Sequence, residues 1–287
     1  FSYGQGHHTS YAQMVHEWLG LPLERVHFVQ GDTDKIANGR GSFGSRSMTV
    51  GGSALKAACE QVIERGRRVA AILLGCPEES LEFAEGIYRG KNEPECSITL
   101  DQVARATYAW SAPKPLPPEL WSGLDGVGYF TANPQNYPNG CYVAEVEVDP
   151  ETGDVQLVEV TAVDDVGTVI NPLLLEGQIH GGIAQAAGQV LKEAVVHAPD
   201  GQLLTGSFTD YAIPHAADFP RFRLALRPVP TRTNPLGVKG GAETGTVGLP
   251  PAIVAAIVDA LRPLGVRDIT CPATPMTVWQ AIQGARA

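Results

Sequence analysis

The sequence predicts an α+β protein built of two mixed α/β sub-domains, and three observations support this fold class. Hydrophobic residues make up 44% of the 287 residues, which is enough to bury a sizeable core in one large or two small domains. Segments with helical apolar spacing and alternating, strand-like segments occur together along the chain. A proline-rich stretch from Ser111 to Pro118 has the composition of a linker. We therefore expect sub-domains over residues 1–112 and 113–287.

The first sub-domain is predicted to hold two helices and a short strand. Ser10 and Gln13 have the spacing of a capping box, and the apolar residues that follow repeat at helical spacing as far as Gly20. Val26 to Val29 has the composition of a short strand. A second helix is expected from about Met48 to Val69.

The second sub-domain is predicted to begin with a β-hairpin. Apolar and polar residues alternate from Cys141 to Asp149 and from Val155 to Val163, with turn-forming residues between the two runs. Asn171 and Pro172 supply an N-cap and a first-turn proline for a helix that runs to about Leu191. Three further elements are expected: a strand over 222–227, an apolar helix opened by Pro250 and Pro251 that runs through Leu261, and a final helix opened by Pro275 that carries Val278, Trp279 and Ile282.

Composition and charge exclude several functional classes. The 21 Lys and Arg residues against 31 Asp and Glu residues give a net charge of −10, which argues against a surface for nucleic acid or anionic membranes. No window of about 18 apolar residues predicts a membrane span, and the first residues lack the pattern of a signal peptide. The five cysteines form no C-x-x-C, so we expect a cytoplasmic protein without its own iron–sulfur or zinc site. The seven histidines show no metal-ligand spacing, and we expect no side chain of this chain to ligate a metal.

Residues 39–44 read G-x-G-x-x-G, the pattern of a dinucleotide-binding loop. A nicotinamide-dependent dehydrogenase is not supported, because the preceding predicted strand ends near Gln30 and no strand–helix–strand repeat is present. A P-loop is not supported either, because Ser45 and Arg46 stand where Lys and Ser or Thr are needed. Two interpretations remain open: an ordinary turn, or a site in which backbone N–H groups before a helix bind an anion.

Two glutamines lie next to glycines that let the backbone approach a ligand closely. Gln5 lies between two glycines and offers a donor and an acceptor, although an N-terminal loop can also carry an incidental amide. Gln185 follows Gly181 and Gly182 in a predicted helix, where a glutamine is usually solvated. Because glycine in a helix costs about 1 kcal/mol relative to alanine, this pair indicates that another element lies against the helix face.

The strongest local signal is the loop over residues 234–245, which reads NPLGVKGGAETG. One carboxylate, that of Glu243, lies among small residues directly before an apolar segment. One interpretation is a solvated loop glutamate paired with Lys239. The other is a general base in a tight, partly dry pocket, where the carboxylate takes a proton from a reacting group.

A set of motifs extends over essentially the whole chain. They are Gly4-Gln5-Gly6-His7-His8-Thr9, Gly31-Asp32-Thr33, Gly44-Ser45-Arg46-Ser47, Asn171-Pro172, Gly181-Gly182 with Gln185, Asn234 to Gly240, Glu243, and Pro272 to Pro275 with Trp279. In this order and spacing they resemble the molybdenum-binding large subunit of the xanthine dehydrogenase, aldehyde oxidase and carbon monoxide dehydrogenase family. The resemblance implies that the two sub-domains are those of the molybdenum-binding domain of molybdenum hydroxylases.

The resemblance also implies a function for individual residues. Glu243 matches the family's general base, in the oxidative hydroxylation of an electron-poor C–H carbon (aldehyde, N-heteroaromatic or purine) or the oxidation of carbon monoxide. The cofactor is expected to be molybdenum–molybdopterin in its cytosine dinucleotide form, with FAD and [2Fe–2S] clusters on partner chains. Cofactor contacts are implied for Gln5, Gly6, Gly44, Ser45, Arg46, Gln185, Lys239 and Gly240.

Only the C-terminal part of the family's large subunit is covered by the resemblance. The upstream cofactor loops and the segment that bears the substrate pocket have no match, so we expect the chain to be inactive without that upstream part. The expected partners are the upstream part, an FAD subunit and an iron–sulfur subunit, in a homodimer or a larger hetero-oligomer. Ala242 replaces a glycine that many relatives have before the catalytic glutamate, and its methyl group is expected to shift the backbone slightly.

An alternative from another functional class is a cofactor-free folded fragment that acts as a scaffold or assembly partner. The presence of Gln5, Gln185 and Glu243 together favours the enzyme, because a scaffold has no need for them. The identity of the substrate is left open, since the resemblance places most of the substrate pocket upstream.

Overall fold

The computed structural model describes residues 1–36, 39–108 and 114–286. The predicted α+β class is confirmed. The chain divides into two compact units, which we call the first unit (residues 1–135 and 232–238) and the second unit (residues 136–231 and 239–287). The sub-domain boundary predicted between residues 112 and 113 lies outside the described residues and stays a prediction.

The first helix of the first unit, α1, spans His7–Leu19. Its predicted capping box at Ser10 and Gln13 is wrong, because the helix begins earlier, after Gly6 in the left-handed region (φ 70°). The Ser10 hydroxyl donates to the Gly6 carbonyl at 3.0 Å instead of capping the helix. Gly20, also left-handed (φ 65°), ends the helix as predicted.

The second long helix, α2, spans Ser53–Leu74 and is preceded by a π-helical turn over Ser47–Gly52. The predicted helix is confirmed, and it continues to a left-handed Gly75. The strand predicted over 26–29 is wrong, because these residues belong to neither three-stranded sheet of the described part of the chain.

A small antiparallel sheet packs on α2. It consists of β1 (Leu81–Ala84), β2 (Ile87–Gly90) and β3 (Ser97–Thr99), and α3 (Leu100–Ala106) follows directly. Tyr88 is fully buried and donates its hydroxyl proton to the Ile63 carbonyl of α2 at 2.9 Å. These elements were not predicted, because strands of three or four residues carry too little alternation to be recognised.

The second unit is built on a three-stranded sheet. The predicted hairpin is confirmed as β4 (Asn139–Val148) and β5 (Val155–Asp165), which pair antiparallel with a bulge between Glu145 and Val146. The predicted third strand, β6 (Phe222–Leu226), lies parallel to the second half of β5.

Three helices share one hydrophobic core with this sheet. α4 spans Pro172–Leu191, as predicted, and Asn171 caps it by accepting from the Leu174 N–H at 2.9 Å. α5 spans Thr244–Leu261, so the prediction that Pro250 opens this helix is wrong; both prolines lie inside it. α6 spans Pro275–Arg286 and confirms the final predicted helix.

The core of the second unit explains the apolar character of α5. Leu249, Ile253, Ile257 and Leu261 are buried among residues of β5, α4 and α6. By length and composition alone, Thr244–Leu264 is apolar enough to cross a membrane. The regular spacing of its buried residues is that of a helix packed on a protein core.

Candidate functional site

The residues predicted to contact a cofactor fall into two groups. Gln5, Gly6, Gly44, Ser45 and Arg46 belong to the first unit, whereas Gln185, Lys239, Gly240 and Glu243 belong to the second. Each group is described within its own unit.

In the first unit, the loop before α1 presents an oriented amide. Gly4 (φ 117°) and Gly6 (φ 70°) adopt backbone conformations that favour glycine, and a Cβ on Gly4 would meet no atom within 4 Å. Between them, the half-buried Gln5 accepts the backbone N–H of Tyr3 at 2.7 Å through its Oε1. This bond fixes which way the amide group faces.

His7, the first residue of α1, lies directly behind this loop. Its side chain is buried, with an exposed fraction of 2%, and Nδ1 lies 3.2 Å from Oε1 of Gln30. Nε2 is also buried and has no hydrogen-bond partner among the described residues. A buried polar atom without a partner is uncommon in folded proteins, and here it lies beside the loop that carries Gln5.

The second glycine loop presents its backbone in an unusual conformation. Gly44 (φ 60°) and Ser45 (φ 51°) are consecutive left-handed residues, and a Cβ on Gly44 would have open space around it. Ser45 is followed by the right-handed Arg46 (φ −96°), and such a left-handed and right-handed pair can direct successive backbone N–H groups toward an anion. Arg46 stabilises the loop, because its guanidinium stacks 3.9 Å from the Phe43 ring centroid and reaches the carbonyls of residues 40 and 41 at 3.3 and 3.4 Å.

Two tyrosines hold these loops of the first unit next to each other. Tyr3, beside Gln5, donates its hydroxyl proton to the Ser42 carbonyl. Tyr11, on α1, donates to the Ser47 carbonyl at 2.8 Å. The structure therefore brings the Gln5 loop and the Gly44 loop together, as a shared ligand site in this unit requires.

The 234–245 loop divides between the two units. Asn234 is buried and organises the first part, because its side chain donates to the Val238 carbonyl at 2.8 Å and accepts the N–H groups of residues 236 and 238. The second part begins at Lys239, whose N–H donates to the Val166 carbonyl at 2.7 Å, just after β5.

In the second unit, Lys239 is fixed by an ion pair. Its ammonium group lies 2.5 Å from Oδ2 of Asp165, and the two side chains are only 11% and 14% exposed. Oδ1 of Asp165 accepts the N–H groups of Gly167 and Val229, both at 2.9 Å. Burial raises the pKa of Asp165, but these three donors outweigh it and lower the pKa to about 2. Lys239 thus has an acidic partner other than Glu243.

Glu243 lies immediately before α5, at its N-cap position. Its carbonyl accepts the N–H of Val247 at 3.1 Å, which ties its backbone to the first turn of the helix. The side chain is exposed, so the partly dry pocket expected around this carboxylate is not formed by the described residues.

Gln185 lies where α4 crosses the start of α5. A Cβ on Gly245 would come within 2.7 Å of the Ile183 backbone nitrogen, so the two helices are in backbone contact. The Thr246 hydroxyl donates to Oε1 of Gln185 at 3.3 Å. The prediction that an element packs on the glycine pair of α4 is confirmed for Gly182, whereas Gly181 faces open space. The structure therefore brings Gln185 to the helix turn that follows Glu243.

Two site residues were missed by the sequence analysis. Asp164 and Asp165 end β5, and both side chains contact residues of the 239–244 segment. Two consecutive carboxylates at the end of an alternating strand, with a glycine two residues after the second, were the available signal.

The loops of the first unit offer hydrogen-bonding groups suited to an organic cofactor. Within residues 1–36, 39–108 and 114–286, no three His, Cys, Asp or Glu side chains lie close enough to hold a metal ion. What the loops offer instead is an oriented amide, open left-handed backbone and a buried imidazole nitrogen. These groups can form hydrogen bonds to an organic ligand that carries an anionic group.

Comparison with known proteins gives these loops a family context. Residues 2–220 match the family described as molybdopterin cofactor-binding domain. The chain is 34% identical over 280 residues to the carbon monoxide dehydrogenase large chain of Hydrogenophaga pseudoflava, covering 98% of this chain and 34% of that protein.

Solved structures agree. The carbon monoxide dehydrogenase from Oligotropha carboxidovorans matches with a TM-score of 0.91 and 32% identity, over 100% of this chain and 35% of that one. Quinoline 2-oxidoreductase from Pseudomonas putida 86 matches with a TM-score of 0.88 and 35% identity, over 99% and 36%. The chain therefore spans about a third of the length of these relatives.

Proposed function

The chain belongs to the molybdopterin cofactor-binding domain family of the molybdenum hydroxylases, and from that premise we propose that it forms the C-terminal part of such an enzyme, with Glu243 as general base. When bound, the molybdenum–molybdopterin group, in our proposal its cytosine dinucleotide form, supplies the redox chemistry. The chain's own residues bind and orient this group and move a proton.

The proposed cofactor contacts of the first unit follow from the two adjacent loops. Gln5 is held by Tyr3 with its amide fixed, so that it is suited to a directional hydrogen bond to the pterin. A Cβ on Gly44 would meet no atom, so its backbone is open to a ligand, and the left-handed conformations of Gly6 and Ser45 shape the two loops. Arg46 acts mainly by holding its own loop, since its guanidinium already contacts two carbonyls of that loop.

In the second unit, the proposed contacts surround the start of α5. Gln185 offers its amide from α4, and Gly240 offers its backbone. Lys239 contributes chiefly by position, because its ammonium group is engaged by Asp165.

The observation that carries the proposed role of Glu243 is its place at the start of α5. The exposed carboxylate follows a segment that Asp165 anchors through Lys239, and it precedes a turn in backbone contact with α4. The anchored backbone limits the positions that this carboxylate can reach, and its oxygens can accept a proton.

Substrate and partners follow from the relatives only in outline. One relative is named for carbon monoxide and another for quinoline, so we propose a substrate that is carbon monoxide or contains an electron-poor C–H carbon. We further propose that the chain is inactive alone and works in the cytoplasm with the upstream part of the molybdenum subunit, an FAD subunit and a [2Fe–2S] subunit, as a homodimer or larger hetero-oligomer.

The test is Glu243→Gln in the assembled enzyme, with Glu151→Gln as the matched control on an exposed turn of the same unit. Glu243→Gln keeps the side-chain volume but cannot accept the proton, so kcat should fall by about 10²–10⁴-fold with molybdenum content unchanged. Glu151→Gln should leave kcat as it is. Near-normal turnover per molybdenum in Glu243→Gln would refute the assignment, and unchanged assembly without any turnover in the wild type would favour the scaffold alternative.

A further inference from the structure

The second unit holds a buried carboxyl group next to the start of α5. Asp164, near the end of β5, is only 1% exposed, and its Oδ2 accepts the Tyr142 hydroxyl proton at 2.7 Å. The Thr244 side chain lies next to both groups, and its hydroxyl lowers the pKa of each. Asp164, Tyr142 and Thr244 therefore form one polar cluster, which we call the Asp164 cluster.

The surrounding backbone is shaped to admit this cluster. A Cβ on Gly140 would overlap the Oδ1 atom of Asp164, and a Cβ on Gly248 would overlap the ring of Tyr142. Oδ1 is buried and has no hydrogen-bond partner among the described residues. Burial raises the pKa of Asp164, although the neighbouring hydroxyl groups of Tyr142 and Thr244 lower it in part. Burying a carboxyl group with an unpartnered oxygen costs folding free energy, and packing alone does not explain why it is placed here.

The location of the cluster supplies that reason. Thr244 is the first residue of α5 and directly follows Glu243, and its hydroxyl donates to the Gly241 carbonyl at 3.2 Å. At the other end of the same segment, Lys239 is held by Asp165. The segment that carries Glu243 thus lies against Asp165 at one end and next to Asp164 at the other.

We propose that Asp164 is a positioning residue for Glu243, acting through Tyr142 and Thr244 to fix the first turn of α5. This inference rests on the proposed function, because the position of the Glu243 side chain affects catalysis only if its carboxylate is the general base. Asp164 itself touches neither substrate nor cofactor in this proposal.

The first arm of the test removes one hydroxyl group. In the assembled enzyme, Thr244→Val should lower kcat about tenfold with KM changed less than about twofold, because the base is misplaced while substrate binding is kept. Thr244→Ser keeps the hydroxyl and should restore kcat. Tyr211→Phe is the control, because it removes a similar tyrosine–carboxylate bond, to Glu193, elsewhere in the unit; its kcat should match the wild type.

The second arm does not depend on turnover. Hydrogen exchange should become faster in the peptide over residues 239–249 of Thr244→Val and stay unchanged over 139–165, with Thr244→Ser like the wild type. Unchanged exchange and kcat in Thr244→Val, or faster exchange throughout the second unit, would overturn the positioning role. Normal turnover in Glu243→Gln would instead refute the proposed function. If exchange in Thr244→Val then still became faster over residues 239–249 alone, the role of Thr244 in fixing the helix turn would stand. Asp164→Asn should reproduce the Thr244→Val exchange pattern if it folds.

Discussion

Replacing Asp165 by asparagine isolates the ion pair that anchors the segment with Glu243. Asparagine keeps the Oδ1 acceptor for the N–H groups of Gly167 and Val229 but removes the charge that faces Lys239. Because the pair is largely shielded from solvent, screening by water and salt does not cancel its contribution.

The magnitude follows from the pKa of Asp165, which the structure lowers from 3.8 to about 2. This difference corresponds to roughly 2.5 kcal/mol of folding free energy at neutral pH. Because the folded-state pKa is the lower one, the contribution is complete above the unfolded pKa and is lost as pH falls toward 2. Linkage gives a loss of about 1 kcal/mol by pH 3.

The assay is denaturant unfolding of the second unit at pH 6 and pH 3, for the wild type, Asp165→Asn and the exposed control Asp154→Asn. At pH 6 we expect Asp165→Asn to be less stable than the wild type by about 2–3 kcal/mol, with the control close to the wild type. Between pH 6 and pH 3 the wild type should lose about 1 kcal/mol more than Asp165→Asn. Equal pH dependence in the two proteins would refute the assignment of the low pKa to this pair.

Three further outcomes are expected. Gly245→Ala should destabilise the second unit by about 1–3 kcal/mol in unfolding experiments, because its methyl group would overlap the α4 backbone. The control Gly181→Ala faces open space and should be neutral or slightly stabilising. Equal effects of the two substitutions would contradict the close helix crossing. Glu243→Asp withdraws the carboxylate by one methylene, so kcat in the assembled enzyme should fall at least about tenfold; wild-type turnover would show that its reach is unimportant. Gln5→Ala should lower the molybdenum content first, measured by metal analysis, with activity falling in proportion; full molybdenum content would contradict a cofactor contact.

The parts of the fold that were predicted are those in which local pattern and tertiary structure agree. The β4–β5 hairpin has alternation over two long runs with a turn between them, and Asn171 with Pro172 marks the start of α4 in both sequence and structure. The small β1–β3 sheet is not predictable from the sequence pattern, because its strands are short and are stabilised by packing on α2.

The errors have physical causes as well. The sequence predicts that Pro250 opens α5, yet the helix begins at Thr244. Backbone contact with α4 stabilises the first turn, and this outweighs the hydrogen bond lost because proline has no N–H. The sequence predicts Ser10 as the cap of α1, yet the helix already begins after the left-handed Gly6.

Of the candidate site, Glu243 and the glutamines could be named from sequence, whereas the aspartates that support Glu243 could not. Their role depends on the strand geometry: successive side chains of a β-strand point to opposite faces, so Asp164 enters the protein interior while Asp165 lies near the surface. The end of β5 therefore lies next to Thr244 on its buried face and binds Lys239 on its opposite face. A register shift of one residue would exchange the two carboxylates between the faces of the sheet, and both contacts to the segment would be lost. The position of Glu243 therefore depends on the register in which β4 pairs with β5.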